Sequence, residues 1–267
     1  MIYLTGDVHS RIKGHWEQEK AGSETDAAKK YLEILKTNKI SCTLFLNGKC
    51  LEEEPEKVKE LLKYDIEIGG HTYDNFGKMN SVKGYINRKR FGCVYGSFQY
   101  QKKDIKKTRK AFERLNWEMS CWRTHAFASN NETFRILKEN NVKYISDLLG
   151  DIKPFEKDGI IHVPINIPDD VDTISFGFLT PENRNPFASC TKGRIKPEEW
   201  FEIVKKRVVD NEKNKIDSIL LIHPITMAVL DDFKLFERIV RFLSKYKSGK
   251  ISEFKLLSPK NLKIPAY

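Results

Sequence analysis

The 267-residue sequence predicts an α/β fold with a mainly parallel sheet, open or closed into a barrel. Three observations carry that expectation. Short β-rich runs alternate with amphipathic segments about seven times, a pattern that lays helices over a parallel sheet. Ser218 to Ile222 is apolar after its first residue, as a strand covered on both faces requires. The length suits a single α/β barrel, so residues 1–267 are expected to form one domain.

In chain order, Ile2 to Leu4 reads as a strand, and Asp26 to Thr37 as a helix with Ala27, Tyr31, Leu32 and Leu35 on one face. Ser41 to Leu46 is a strand, Pro55 to Tyr64 a helix, and Glu67-Ile68 a short strand running into Gly69-Gly70. Phe76 to Ser97 carries four glycines and no clear period, so a loop is expected there. Lys103 to Leu115 reads as a helix, Glu118 to Trp122 as a strand, Glu132 to Asn140 as a helix and Lys143 to Ile145 as a strand. Ile160 to Ile167 alternates like a strand, and Pro181 to Gly193 is irregular. Glu198 to Val209 is helical, and Asp232 to Tyr246 reads as one long helix.

Hydrophobic residues at 40% are enough for a sizeable core, and no apolar run reaches the eighteen or so residues of a membrane span. A net charge of +10 favours anionic partners. Much of the excess, such as Lys102, Lys103, Lys106, Lys107 and Lys110, sits on one amphipathic stretch and reads as a solvated helix face. No helix-turn-helix, zinc-finger or aromatic RNA-binding signature accompanies it, which argues against nucleic acid and leaves room for a nucleotide-linked sugar. Five scattered cysteines without CxxC spacing suggest neither a disulfide framework nor a cysteine-ligated zinc. Met1 to Thr5 lacks a basic region and a long apolar stretch, so a cytoplasmic location is expected.

In parallel α/β folds, sites gather at the carboxyl ends of the strands. The polar residues there are Asp7 and His9, His71, Arg123 and His125, Asp147, and His223, which hold four of the six histidines. Two imidazoles and a carboxylate with open positions suit a catalytic divalent metal, with zinc the first choice. Such a metal lowers the pKa of water and polarises a carbonyl, a neighbouring carboxylate takes a proton, and an opposite histidine protonates the leaving nitrogen. That division of labour hydrolyses an amide.

Thr5-Gly6-Asp7-Val8-His9, Glu67 to Asn75, Arg123 to Phe127, Asp147, and Leu221-Ile222-His223-Pro224 together resemble the five ordered motifs of the polysaccharide deacetylases, carbohydrate esterase family 4 or the NodB homology domain. The resemblance implies a distorted (β/α) barrel with about seven parallel strands. It implies that Asp7 is the catalytic base, that His9, His71 and Asn75 are metal ligands, and that His223 is the general acid. Arg123 would pair with Asp7, Asp147 would orient His223, and a backbone N–H near Phe127 would face the oxyanion.

This chain departs from the family pattern in three places. His9 stands for an aspartate ligand, Asn75 for the second histidine of the HxxxH pair, and His125 for a proline. With no carboxylate among His9, His71 and Asn75, Asp7 is expected to be available as a further ligand. His125, Phe127 and Tyr73 are candidate substrate contacts, His125 also being a possible metal donor. Trp122 and Phe176 read as packing, Asp169-Asp170 as a turn after Pro168, and His15 and His162 as structural or exposed.

The expected function is therefore metal-dependent removal of an N-acyl group from an amino sugar, a soluble or lipid-linked precursor of surface polysaccharide. The alternatives are a carbohydrate-binding pseudoenzyme and a hydrolase of another non-peptide C–N bond.

Overall fold

The computed structural model describes residues 1–77, 81–175 and 194–256. Phe176, Cys190 and the stretch from Pro181 to Gly193 lie outside them. β1 (Ile2–Val8) is buried along its whole length between two parallel neighbours, β2 (Cys42–Leu46) and β8 (Ser218–Leu221). β3 (Ile66–Gly70), β4 (Cys121–Trp122), β5 (Tyr144–Ile145) and β7 (Ile160–His162) continue the parallel ladder from β2, and β6 (Phe155–Lys157) pairs antiparallel with β7. The sheet order is β6-β7-β5-β4-β3-β2-β1-β8, with seven strands parallel.

The ladder does not close, but the two edges approach each other. Beyond β7 the Asn166 and Ile167 N–H groups both reach the Ile219 carbonyl on β8, at 3.2 and 3.3 Å. These bonds explain the distorted barrel that the seven-strand reading anticipates. The turn before β7 is the dipeptide Asp158-Gly159, both residues at positive φ, the geometry of a tight two-residue hairpin.

Strand alternation separates two cores. Ile2, Leu4 and Val8 pack toward the helices, and Tyr3 belongs to a second cluster inside the sheet with Phe45, Cys121, Val163, Ile165, Ile219 and Leu221. Thr5 and Asp7 share the parity of Tyr3, so a buried carboxylate is carried to the carboxyl end of the interior.

The outer layer contains α1 (Trp16–Ala21), α2 (Glu24–Thr37), α3 (Gly48–Glu53), α4 (Pro55–Leu61), α5 (Ser81–Phe91), α6 (Phe98–Arg114), α7 (Asn131–Glu139), α8 (Pro197–Lys213), α9 (Pro224–Asp231) and α10 (Lys234–Leu243). Two expectations need correction. The region from Phe76 to Ser97 holds α5, whose weak apolar period hides it because Val82, Tyr85 and Ile86 stay exposed. The helix expected over Asp232 to Tyr246 starts at Lys234, because Asp232 and Phe233 adopt left-handed backbone between α9 and α10.

Among the described residues, no helix is long and apolar enough to cross a membrane. Cys42, Cys50, Cys93 and Cys121 are free and buried.

Candidate active site

Parallel register sets the level of the site. Val8 pairs with Leu46, Leu46 with Gly70, Gly70 with Trp122, and Trp122 with Ile145. The next residue on each strand is therefore His9, Asn47, His71, Arg123 and Ser146 in turn. Two glycines make this approach possible. A Cβ on Gly70 would meet Met119 Sδ at 2.5 Å and the Trp122 ring at 2.7 Å, and one on Gly69 would meet Cys121 Sγ at 2.6 Å.

His9, His71 and His125 come together, each offering a nitrogen within 4.8 Å of the others. Their ring centroids form a near-equilateral triangle of 5.2, 5.3 and 5.4 Å sides. His71 Nε2 lies 3.3 Å from His125 Nδ1. His9 Nε2 and His71 Nδ1 are buried without a hydrogen-bond partner. Burial pushes His71 down to about 3, and burial together with the neighbouring His9 and His71 holds His125 well below the usual imidazole range. Burial alone would lower His9 too, but the charge and hydrogen bond of Glu24 outweigh it and raise it. Buried, closely set nitrogens with no protein acceptor fit a cation that takes neutral imidazole ligands.

Asp7 lies beside this trio, between Arg123 and His223. Arg123 Nη1 donates to Asp7 Oδ1 at 2.9 Å, and His223 Nε2 is 3.8 Å from Asp7 Oδ2. Arg123 is fully buried and also donates to Thr5 Oγ1, Ser146 O and Ser146 Oγ, so its fork is held on three sides. Burial would raise the Asp7 carboxyl, but Arg123 first, then His71, His223 and His9, bring it below the ordinary carboxylate range.

His223 is held from the other side by Asp170. Asp170 Oδ2 accepts the His223 backbone N–H at 2.8 Å, and Oδ1 is 2.7 Å from Nδ1. Burial would lower His223, yet Asp170, Asp7 and Asp169 raise it to about 10.

The structure revises several sequence expectations. Asp147 does not orient His223: its Oδ1 accepts the Thr124 N–H at 2.6 Å, and burial pushes its carboxyl up to about 6. The residue at His223 is Asp170, which reads in the sequence as half of a turn. Asn75, at φ 56°, has its carboxamide oxygen engaged by Asn47, whose Nδ2 donates to Asn75 Oδ1 at 3.2 Å. His125 is the third imidazole of the trio instead, carried by a 3₁₀ turn whose next two residues, Ala126 and Phe127, have φ of 52° and 51°.

Tyr73 faces away, its hydroxyl donating to Glu52 at 2.5 Å and its ring 3.5 Å from Lys107 Nζ. The Phe127 N–H is taken by the Thr124 carbonyl at 2.9 Å, which removes it as an oxyanion donor. The half-buried Phe127 ring packs against the interior cluster. Asp7 stays on Arg123 and does not join the three-imidazole group.

The mostly parallel eight-stranded sheet with helices outside it is the architecture of NodB-like (β/α) barrels. A family model described as polysaccharide deacetylase matches residues 2–145, just over half of the chain. The chain belongs to the polysaccharide deacetylase family, a family of C–N hydrolases that also includes pseudoenzymes.

No curated protein matches the chain. Among solved structures, it resembles a polysaccharide deacetylase from Mycobacterium smegmatis at 16% identity and a TM-score of 0.71, covering 100% of this chain and 95% of that one. A family 4 pseudoenzyme from Bacillus anthracis is similar at 18% identity and a TM-score of 0.53, covering 95% and 64%. Puue allantoinase is similar at 15% identity and a TM-score of 0.60, covering 94% and 86%. At these identities the likeness concerns the fold.

Proposed function

We propose that this chain is a metal-dependent hydrolase that removes an acetyl-type N-acyl group from an amino sugar carried as a soluble or lipid-linked precursor of surface polysaccharide. The observation that carries this reading is the buried His9, His71 and His125 trio beside the Asp7–Arg123 and His223–Asp170 pairs. The three imidazoles are the ligand set, and an all-imidazole donor set suits zinc among the divalent ions. When bound, such an ion polarises a carbonyl and lowers the pKa of water.

Asp7 takes the proton from the attacking water, and Arg123 keeps it ionised and aimed into the site. His223, held protonated by Asp170, delivers a proton to the departing sugar nitrogen.

A cavity of about 550 Å³ beside the loop after His9 has Arg11, Lys13 and Gln18 in its walls, with Glu19 and Glu53. Arg11 and Lys13 suit the phosphate of a nucleotide- or lipid-linked sugar. The reason to expect a non-catalytic binder was Asn75, and His125 supplies the third imidazole in its place.

The test is elemental mass spectrometry on untagged protein purified without chelator, followed by assays of acetate release from nucleotide-linked and lipid-linked N-acetyl sugars and insoluble polymer, and of ring opening of cyclic ureides. About one divalent ion per chain and release from the soluble or lipid-linked sugars support the proposal. Protein that stays metal-free after incubation with zinc, cobalt or nickel refutes the metal reading, and turnover of ureides or polymer alone refutes the substrate.

A further inference from the structure

The three-imidazole trio carries no formal negative charge, yet a carboxylate stands directly behind one of its members. Glu24 Oε2 accepts the His9 backbone N–H at 2.7 Å and lies 3.0 Å from His9 Nδ1. Its second oxygen, Oε1, accepts from Gln18 Nε2 at 2.8 Å. Gln18 in turn closes the loop after β1, donating to the Ser10 carbonyl and accepting the Ile12 N–H.

A glutamate at the start of a helix ordinarily faces water, where it complements the helix dipole. Glu24 begins α2 directly after the Ser23 cap, but its side chain is 2% exposed and its oxygens are turned inward onto His9 and Gln18. A buried carboxylate is costly unless hydrogen bonds compensate it, and here the compensating donors are His9 and, from α1, Gln18. With Nδ1 directed to Glu24, the nitrogen left for the cluster is Nε2, which is buried and has no partner among the described residues.

We propose that Glu24 is the positioning residue of the metal site, and that it supplies through His9 the negative charge that the three direct ligands lack. This rests on the reading of His9, His71 and His125 as ligands. Glu24 does so in two ways. It fixes His9 in the Nδ1–H tautomer, with Nε2 presented to the ion, and it makes that nitrogen a stronger donor, as carboxylates behind metal-bound histidines do. Gln18 holds the carboxylate in place.

The test measures zinc and cobalt affinity by competition with a chelator of known affinity, in wild type, Glu24→Gln, His9→Ala and the double variant, with the cobalt absorption spectrum as a second readout. Glu24→Gln is expected to weaken binding by roughly 10- to 100-fold and to change the cobalt spectrum. In the His9→Ala background the same substitution is expected to have no further effect.

An unchanged affinity in Glu24→Gln, or an equal loss with and without His9, overturns the proposal while leaving the metal site intact. A wild type that binds neither ion instead refutes the ligand reading on which it rests. Nitrogen-15 NMR of the metal-free wild type needs no variant to fold: an Nδ1–H tautomer at His9 is expected, and an Nε2–H tautomer overturns the proposal.

Discussion

Asp170 grips His223 twice, its Oδ2 on the backbone N–H at 2.8 Å and its Oδ1 at 2.7 Å from the ring Nδ1. Both the place of the strand exit and the direction of the imidazole are thus set by one carboxylate. If His223 is the acid, Asp170→Asn removes the charge that keeps it protonated and lowers kcat by about 10²-fold or more. KM should change little. Asp147→Asn, which touches Thr124 and not His223, serves as the comparison, and steady-state kinetics on any sugar the wild type cleaves separates the two.

The third imidazole gives a sharper contrast. His125→Ala should lose the bound divalent ion, whereas Asn75→Ala should retain about one per chain, because His125 belongs to the imidazole trio and the Asn75 carboxamide oxygen is taken by Asn47. Elemental analysis of the two variants decides it. An ion lost on Asn75→Ala and kept on His125→Ala would reverse the assignment.

Arg123 has no solvent exposure and four side-chain hydrogen bonds. Arg123→Ala leaves Asp7 buried without its charge partner, so a loss of about 3–5 kcal/mol in unfolding free energy is expected in denaturant titration. Arg123→Lys cannot reproduce the fork and should recover only part of the loss.

Gly70 tests how closely the sheet must approach to place His71. A methyl group there would collide with Met119 and Trp122, so Gly70→Ala is expected to cost about 1–3 kcal/mol. Metal affinity should fall with it, because the displaced strand carries His71. Calorimetry of the metal-free and metal-loaded protein measures both effects.

His162 provides a pH signature away from the site. Its ring stacks on Phe155 at 4.5 Å, and burial lowers its pKa to about 4. The unfolded chain takes up this proton near pH 6.5 and the folded chain only near 4, so stability from this group is full above 6.5 and is lost as pH falls toward 4. The loss is at most about 3 kcal/mol. His162→Phe should flatten that part of the stability curve, and an unchanged slope in the variant would remove His162 as its source.

The sequence alone was enough to place most of the fold. Sequence patterns locate β1, β2 and β8 because these strands are buried on both faces, and the larger helices because each buries one apolar face, as in Tyr31, Leu32 and Leu35 of α2. α5 stayed hidden because a helix with its apolar residues exposed leaves no such face. The contacts between the two sheet edges were also unreadable, since the Asn166 and Ile167 N–H groups and the Asn166 carboxamide make them outside any apolar period.

The site divides along the same line. Residue type and spacing after the strands determined by themselves that Asp7, His9, His71, Arg123, His125 and His223 sit near one sheet edge, because a strand's end fixes where its next residues start. The partners were decided only by tertiary structure. The Asn75 carboxamide oxygen pairs with Asn47 while His125 joins the trio, and a loop folding back over the sheet brought Asp170, 53 residues away in sequence, to His223. Such pairings depend on side-chain direction and loop path, which local periodicity does not encode.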